Sequence, residues 1–499
     1  MKNVLEYLEY QAKIRPDKVA VIDEKRTFTY GKLETLSQIC GSYLAKYELT
    51  KQPIVVLMEK SSLTLISFLG IVYSGNFYVL FNPDLPVSRL KQMKQILKSQ
   101  VVITDKQHLK MAEEIFGLQE IVLIEEILTQ SGDYKKLKSI RQKMIDIDPL
   151  YTIFTSGSTG VPKGVVVSHR SVISFINDFV RTFEFGHRDI LANQAPFDFD
   201  VSVKDIYTSL KVGATLVIVD KKMFLQPVVL IDYLCQHQVT VLIWAVSALC
   251  LITSFHGLDY KVPRSLKKVL FSGEVMPLSH LKQWMSSLPQ VEFVNLYGPT
   301  EVTCNCSYHI IDCYHDYQQG IPIDHPFSNR RVFLLDEHDQ ESDFGEIVVS
   351  GNLALGYYND LQQTNTKFVQ NPLNDKYPDI IYRTGDLGRI DQNDSLYFCG
   401  RKDFQIKHQG HRIELEEIEL AVNGVNGVIR SCVVYDDKKS RIYCFYQGDC
   451  LKEAIYQDLK QKLPIYMIPS KIKQVDNFIL NKNGKIDRKL LLKRSVVHE

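Results

Sequence analysis

Several features that would narrow the function at once are absent from this sequence. Its 499 residues include ten cysteines but no C-x-x-C pair, and Cys304-x-Cys306 alone offers too few ligands for a zinc site. No run of 18 apolar residues occurs, so no membrane-spanning helix is predicted. The formal net charge of +1 gives no electrostatic argument for nucleic-acid binding. With no signal-peptide hydrophobic region at the N-terminus, we expect a soluble cytoplasmic protein with reduced thiols, no nucleic-acid partner and no membrane insertion.

The length and the hydrophobic pattern predict more than one domain. A chain of 499 residues exceeds the usual limit of one hydrophobic core. Short apolar strands alternate with helical apolar spacing, which predicts parallel α/β layers. From Gly345 the strands are broken by Gly and Asp, which indicates a small β-subdomain, and the charged segment Gly400–Asp403 is interpreted as a linker. The predicted fold class is α/β, with an N-terminal domain over residues 1–400 and a small α+β domain over 401–499.

A loop of glycines and hydroxyl residues between two apolar strands is the most informative stretch. Its glycines permit backbone conformations that direct successive N–H groups to one side, which suits phosphate oxygens. A P-loop would need a hydroxyl residue after the lysine and then a helix, whereas Lys163 is followed by Gly164 and a strand. The alternatives are therefore another kind of phosphate site or a plain hairpin loop. The donors in this loop are Ser156, Gly157, Ser158, Thr159, Gly160 and Lys163.

Six stretches in a fixed order carry a family resemblance. They are the loop Thr155–Lys163, Asn295–Glu301, Gly345–Tyr357, Tyr382–Asp386, Gly400–Glu419 and Asn483–Arg488. In this order the sequence resembles the adenylate-forming superfamily of acyl-CoA synthetases, firefly luciferase and the adenylation domains of nonribosomal peptide synthetases. Asn193–Phe197, Phe271–Pro277 and Asp403–Lys407 are similar to D-alanine–carrier protein ligases. The resemblance implies two steps: a carboxylate attacks the α-phosphorus of ATP, and a thiol then takes the acyl group from the adenylate.

The resemblance also implies roles for the nucleotide-binding residues. The loop Thr155–Lys163 would hold pyrophosphate, and Glu301 would ligate Mg²⁺, a cation that prefers oxygen ligands. Asp386 would accept the ribose hydroxyls and Lys485 would bridge the substrate carboxylate and the α-phosphate. The implied catalytic residues are Lys485, Glu301 and Thr155. The further ATP-binding residues are Asn295, Tyr297 against adenine, Gly298, Thr300 and Arg401 at the ribose. Without the resemblance, Asp386 or Lys485 would be ordinary turn residues and Glu301 a surface charge.

Domain movement follows from this assignment. Lys485 lies in the small domain while the phosphate loop lies in the large one, so adenylation requires the domains to close. Transfer to the thiol requires them to reorient. The resemblance implies that Asp403 is the hinge and that the C-terminal domain is mobile.

One aspartate favours an amino acid as the carboxylate substrate. In amino-acid-activating members an aspartate at the place of Asp200 pairs with the α-ammonium, and Asp198 is the neighbouring alternative that would face solvent. The side-chain pocket aligned by motif is Asp200, Val201, Lys204, Trp244, Leu270, Ser272, Leu296, Cys304, Asn305 and Lys485. Gly273 is a further expected substrate-binding residue. It resembles serine-selecting domains but departs from them at Lys204, Trp244 and Asn305. The expected order of substrates is a small polar amino acid such as serine, then alanine, then an acidic amino acid.

Lys204 leaves two alternatives open. A buried ammonium without an anion is costly, so it would pair with a carboxylate on the substrate. Alternatively its stem lines the wall while the ammonium reaches solvent or Asp205.

The sequence therefore predicts an ATP- and Mg²⁺-dependent ligase that forms an aminoacyl-adenylate. The amino acid would then pass to the phosphopantetheine thiol of a separate carrier protein. The alternatives are an acyl-CoA synthetase, which Asp200 disfavours, and a catalytically silent binding homologue, which the presence of Glu301, Asp386 and Lys485 disfavours.

Overall fold

The chain forms two compact units in the computed structural model, which describes residues 1–117, 121–157, 160–312, 314–437, 439–479 and 486–497. The first unit comprises Met1–Asn82, Leu97–Ile153 and Gly164–Lys402, and the second comprises Pro83–Ile96, Phe154–Lys163 and Asp403–Glu499. Two segments expected in the N-terminal domain, residues 83–96 and 154–163, thus group with the C-terminal residues. The functional division at residues 400 and 401 stays a prediction.

The first unit contains a nine-stranded sheet. Its order is β15-β14-β13-β12-β11-β9-β10-β1-β2, and the strands from β13 to β1 are parallel. The bounds are β1 Val19–Ile22, β2 Thr27–Thr29, β9 Ile190–Asn193, β10 Thr215–Ile218, β11 Val241–Ala245, β12 Lys268–Ser272, β13 Glu292–Tyr297, β14 Ser307–Ile310 and β15 His325–Pro326. Side chains alternate between its faces, so Ile243 and Leu270 join one buried cluster while Trp244 and Phe271 join another.

A second sheet has seven strands in the order β18-β8-β7-β4-β3-β5-β6. Its strands are β3 Pro53–Leu57, β4 Phe77–Leu80, β5 Val102–Thr104, β6 Ile121–Leu123, β7 Pro149–Thr155, β8 Lys163–Ser168 and β18 Gly356–Tyr357. The strands β3 and β4 are buried along their whole length, as expected for parallel strands covered on both faces. The predicted parallel α/β layers are confirmed.

Helices cover these sheets, and their ends follow local capping chemistry. The predicted N-cap Ser168 accepts a hydrogen bond from the backbone N–H of Ser171 and opens the helix α8. The helices of the first unit are α1 Leu5–Ile14, α2 Tyr30–Leu44, α3 Ser62–Tyr73, α5 Leu109–Phe116, α6 Ile124–Ile127, α7 Tyr134–Lys143, α8 His169–Thr182, α9 Val201–Val212, α10 Pro227–Gln236, α11 Val246–Ser254, α12 Gly257–Tyr260, α13 Leu278–Ser287 and α14 Leu361–Lys367. Within the described ranges, no helix combines the length and apolar character that a bilayer crossing requires.

The predicted β-subdomain is a five-stranded sheet. It consists of β16 Arg330–Leu335, β17 Phe344–Gly351, β19 Phe368–Gln370, β20 Ile380–Ile390 and β21 Leu396–Arg401. The interpretation of Gly400–Asp403 as a linker is wrong at its first two residues. Gly400 and Arg401 continue β21, because Arg401 pairs across the sheet with Asp386.

The second unit has its own buried cluster, which includes Ile413, Ile418, Val433 and Leu459. Its strands are β22 Gln405–His408, β23 His411–Glu414, β24 Val428–Asp436, β25 Arg441–Gly448 and β26 Lys471–Gln474. Its helices are α15 Leu415–Asn423, α16 Lys452–Lys462 and α17 Arg488–Val497, with most of α4 Val87–Leu97. A buried ion pair between Arg89 and Glu417 joins α4 to α15 within this unit.

Candidate active site

The carboxyl ends of four parallel strands bring polar residues to one edge of the nine-stranded sheet. Asn193 ends β9, Ala245 ends β11, Ser272 ends β12 and Tyr297 ends β13. Ligands of open α/β sheets bind at this edge, because the loops that follow the strands all begin there. The predicted nucleotide and amino-acid residues of the first unit cluster around these strand ends.

A buried network joins Tyr297, Asp386 and Arg401. The Tyr297 hydroxyl donates to Asp386 Oδ2 at 2.6 Å. Arg401 donates to Asp386 Oδ1 and to the Thr384 carbonyl oxygen, the latter at 3.2 Å. Asp386 is only 3% exposed, so these donors fix the orientation of its carboxylate. Each carboxylate oxygen has two lone pairs, and both oxygens of Asp386 therefore keep acceptor capacity for a ligand.

Glu301 lies in a short turn directly after β13. It is 1% exposed, and its Oε1 accepts a hydrogen bond from the Tyr357 hydroxyl at 2.8 Å. The turn fits closely against the chain that follows, because a Cβ on Gly298 would lie 2.6 Å from Asn305 Cα. Thr300 opens the turn, while the Asn295 side chain donates to the Pro322 carbonyl oxygen at 3.0 Å.

The glycine-rich loop lies in the second unit. Thr155 ends β7 and Lys163 begins β8, as the sequence predicts. Ser156 Oγ donates to the Arg412 carbonyl oxygen at 2.7 Å. A Cβ on Gly157 would come within 2.0 Å of the Val161 carbonyl oxygen, and Gly160 has a positive φ of 78°.

Three predicted residues lie outside the described residues, namely Ser158, Thr159 and Lys485. The predicted hinge Asp403 is the first residue of the C-terminal segment of the second unit. Its Oδ1 accepts from the backbone N–H of Gln405 at 3.3 Å.

Asp200 and Val201 open the helix α9 at the edge of the sheet. Asp200 is the N-cap residue, but its side chain makes no capping hydrogen bond to the helix. Its carbonyl oxygen accepts from Cys304 Sγ at 3.3 Å. The neighbouring Asp198 is half-buried and accepts from Asn82 Nδ2 at 3.3 Å. The two aspartates therefore have different surroundings, because Asp200 adjoins the predicted pocket residue Cys304 and Asp198 adjoins Asn82.

Lys204 lies one helical turn beyond Asp200 and is 1% exposed. Its ammonium donates to Asn305 Oδ1 at 2.7 Å and to Ser272 Oγ at 3.2 Å. Burial lowers the pKa of Lys204, while Cys304, Asp200 and Asp205 oppose that shift. The alternative in which the ammonium reaches solvent or hydrogen-bonds to Asp205 is wrong, because it is buried among pocket residues.

The remaining pocket residues separate into two groups by sheet face. Leu270, Leu296 and Cys304 belong to the buried cluster that also contains side chains of α9. Trp244 instead packs with Phe271 in the cluster on the opposite face, and its indole N–H donates to the Ala192 carbonyl oxygen at 2.7 Å. The prediction that Trp244 lines one pocket with Leu270 and Ser272 is therefore wrong. Side chains alternate along a strand, so the next residue, Ala245, faces the side expected of Trp244. Ala245 pairs with Ser272 across the sheet.

The backbone φ angles are unusual in the turn that contains Cys304 and precedes Asn305. Thr303 and Cys304 have positive φ angles of 61° and 70°. A β-branched residue such as Thr303 pays a steric cost there, and such outliers concentrate at functional sites. Next to this turn, Gly273 has a φ of 99°, and a Cβ built on it would meet nothing within 4 Å. The backbone after β12 therefore borders open space.

Sequence reasoning missed several residues beside the site. The ammonium of Lys60 donates to the carbonyl oxygens of Asn193 and Gln194 at 3.2 and 2.9 Å, and burial lowers the pKa of Lys60 to about 7. Burial raises the pKa of Asp205 to about 7, although Asn193 donates to its Oδ2. No local pattern marked Lys60, and the sequence indicated Asp205 only as an alternative partner for Lys204. Tyr357, in contrast, closes one of the six family stretches and was available from the sequence as a partner for Glu301.

Comparison with known proteins identifies the family. The profile of the AMP-binding enzyme family matches residues 8–358. The chain belongs to the AMP-binding enzyme family. This AMP-binding enzyme is 32% identical to zwittermicin A synthase ZmaJ of Bacillus cereus, over 97% of its own length and 93% of the relative. It is 31% identical to a D-alanine–D-alanyl carrier protein ligase of Bacillus cytotoxicus, over 98% and 99% of the two chains.

The fold is also shared with solved structures. The adenylation domain AlmE of Vibrio cholerae, in complex with glycyl-adenosine-5'-phosphate, superimposes with a TM-score of 0.86 at 22% identity, over 99% of this chain and 98% of that one. The predicted adenylate-forming superfamily and the α/β fold class are confirmed. The prediction that this AMP-binding enzyme is an AMP-forming ligase is confirmed as well.

Proposed function

We propose that this chain uses ATP to activate an amino acid as its aminoacyl-adenylate and then loads it onto a carrier-protein thiol. The observation that carries the amino-acid assignment is the position of Asp200. Asp200 opens α9 next to Cys304, and its negative charge acts on both Cys304 and the buried Lys204. A carboxylate at this point suits an α-ammonium group, whereas a fatty or aromatic acid would offer it no cation.

The nucleotide is assigned to the strand-end network. We assign the ribose hydroxyls to Asp386 with Arg401 beside it, and adenine to Tyr297. Side chains of the protein itself hold both oxygens of Asp386, so little reorganisation would be needed on binding ATP. The nucleotide is also assigned to Asn295, Gly298 and Thr300. The loop Thr155–Lys163 is assigned to the pyrophosphate.

Mg²⁺ fits the chemistry of Glu301. Its carboxylate is buried, and the Tyr357 hydroxyl holds one of its oxygens in place. A hard divalent cation prefers such an oxygen ligand, and near the phosphates it would neutralise negative charge. We therefore assign Glu301 as the metal ligand of the ATP site.

Attack of one anion on another makes charge neutralisation the main task of this chain's residues. The substrate carboxylate attacks the α-phosphorus and pyrophosphate leaves, so the site must hold both groups in line and offset their repulsion. We assign that role to Lys485, as the family motif at Asn483–Arg488 implies. Movement about Asp403 would bring Lys485 to the site for adenylation and remove it for thiol transfer.

A phosphopantetheinylated carrier protein is proposed as the acceptor. The support is the similarity over nearly the whole chain to a D-alanine–D-alanyl carrier protein ligase. The same comparison supports a carrier that is supplied as a separate protein. The sequence alone favours a serine-like substrate, followed by alanine and then acidic amino acids. The buried ammonium of Lys204 bears on this order of preference.

The decisive experiment is amino-acid-dependent ATP–pyrophosphate exchange, measured across L- and D-amino acids. Asp200→Asn should lose the amino-acid dependence, because the amide no longer neutralises an ammonium. Asp198→Asn is the matched control and should keep it, because Asp198 already accepts from Asn82. The proposal would be overturned if none of the amino acids supported exchange. A higher transfer rate to CoA than to a carrier protein would indicate an acyl-CoA synthetase.

A further inference from the structure

The most unusual charge in the first unit is the ammonium of Lys204. The residue is 1% exposed, yet both groups that accept its hydrogen bonds, Asn305 Oδ1 and Ser272 Oγ, are neutral. No carboxylate of the described residues lies within 4.0 Å of this ammonium. A buried cation is normally paired with an anion, because neutral partners offset only part of the cost of removing it from water.

The two residues that accept hydrogen bonds from Lys204 also carry donors of their own. Because Asn305 uses its oxygen to accept from Lys204, its amide nitrogen is left with two N–H donors, and neither meets a protein acceptor in the described part of the chain. Because Ser272 Oγ also accepts from Lys204, the Ser272 hydroxyl proton points away from the ammonium. An ammonium, an amide nitrogen and a hydroxyl are therefore neighbours, and such a set of donors is complementary to a carboxylate.

The position of Lys204 relative to Asp200 fits one amino-acid substrate. The two residues are four apart on α9, which places them on the same face of the helix about 6 Å apart along its axis. Asp200 lies at the entrance, where an α-ammonium is assigned, and Lys204 lies one turn deeper. A side chain that extends from the α-carbon past Cys304 would reach Lys204 with its far end.

We propose that the substrate is an amino acid with an anionic side chain, a dicarboxylic amino acid, and that Lys204, Asn305 and Ser272 bind its side-chain carboxylate. This assignment rests on the proposed amino-acid adenylation. It moves the acidic class ahead of serine and alanine. A methyl group would leave the buried ammonium without an anion, and one hydroxyl would supply a single neutral acceptor to three donors.

The test is ATP–pyrophosphate exchange with aspartate and glutamate against asparagine, glutamine, serine and alanine, each as both enantiomers. Wild-type kcat/KM for the preferred acid should exceed that for its amide on the order of 10³-fold, because the amide replaces an anion at a site built from donors. Lys204→Met should lower kcat/KM for the acid on the order of 10²–10³-fold and leave the amide nearly unchanged. The preference between acid and amide should therefore collapse.

Lys211→Met is the matched control, because Lys211 lies on the same helix but its ammonium donates to Asn177 Oδ1. This variant should keep the wild-type preference. Thermal stabilisation of the wild-type protein by each amino acid in the presence of ATP gives a second readout. That readout needs no variant, and the dicarboxylic amino acid should raise the unfolding midpoint more than its amide.

The outcomes separate the two proposals. Exchange that is fastest with serine, alanine or another amino acid without an anionic side chain overturns the inference and leaves the proposed function intact. A Lys204→Met variant that is folded and keeps its preference for the acid also overturns it. If none of the amino acids supports exchange, both proposals are refuted together.

Discussion

Removal of one hydroxyl from the strand-end network tests whether Asp386 is held ready for a ligand. In Tyr297→Phe the donor to Asp386 Oδ2 is lost, a hydrogen bond of 2.6 Å between groups that are 6% and 3% exposed. A hydrogen bond to a charged group contributes about 1.5–3 kcal/mol. Arg401 still holds the other oxygen of Asp386, so we expect a loss of about 2 kcal/mol in the free energy of unfolding.

The same substitution should weaken ATP binding selectively. Asp386 would enter the complex less well oriented, and a fraction of that 2 kcal/mol corresponds to a three- to tenfold rise in KM for ATP, since about 1.4 kcal/mol is a factor of ten. KM for the amino acid should stay at the wild-type value.

Urea unfolding and exchange kinetics measure both effects. Tyr151→Phe is the matched control, because the Tyr151 hydroxyl is buried in the same unit without a hydrogen-bond partner. Its free energy of unfolding should therefore not fall below that of the wild type, because an unsatisfied buried hydroxyl is destabilising. Equal losses in the two variants, or a Tyr297→Phe enzyme with unchanged stability and unchanged KM for ATP, would refute the reasoning.

Three further predictions concern charge. Lys485→Ala should slow adenylate formation on the order of 10²–10³-fold while single-turnover transfer from a preformed adenylate keeps its rate; equal loss in both steps would contradict its proposed role. Glu301→Gln should raise the Mg²⁺ concentration for half-maximal exchange about tenfold or more, and an unchanged Mg²⁺ titration would exclude it as the ligand. Burial lowers the pKa of His169 from 6.5 to about 3. The unfolded state therefore binds a proton that the folded state does not, and stability should fall as the pH drops between those values. Urea titrations at stepped pH should show a flatter slope for His169→Gln, and an unchanged slope would contradict this origin.

The sequence predicted the strands and their order of appearance well, because buried parallel strands are short apolar runs between recognisable breaks. Phe77–Leu80 coincides with β4, and Ser168 caps α8 as its hydroxyl and the apolar stripe after it indicate. The sequence did not show that Arg401 continues a strand. A charged residue next to a glycine reads as a loop, and only the cross-strand partner Asp386 makes it part of the sheet.

The pocket shows where motif alignment fails and strand geometry succeeds. Aligning Trp244 with a pocket position is an error of one residue, and in a strand one residue moves a side chain to the opposite face. Alternation along Val241–Ala245 was available in the sequence and favours Ala245. Lys60 and the burial of Asp205 could not be predicted, because the environment of both residues is created by chain segments far apart in the sequence.

The buried charges at this site differ in whether the protein itself supplies an opposite charge. A charge with its counter-charge in place is preorganised for a ligand, and a charge without one can select a ligand that supplies it. Asp386 accepts hydrogen bonds from a guanidinium and a phenol of the same unit, so its carboxylate is neutralised and oriented in the free protein. Lys204 is as deeply buried, yet its partners are a neutral amide and a neutral hydroxyl. Proteins that bury a charge without its counter-charge lose stability, and the cost is recovered when a ligand supplies that charge. In the proposed assignment, the fixed carboxylate of Asp386 suits a nucleotide common to every turnover, whereas the incompletely satisfied ammonium of Lys204 would distinguish one substrate from another.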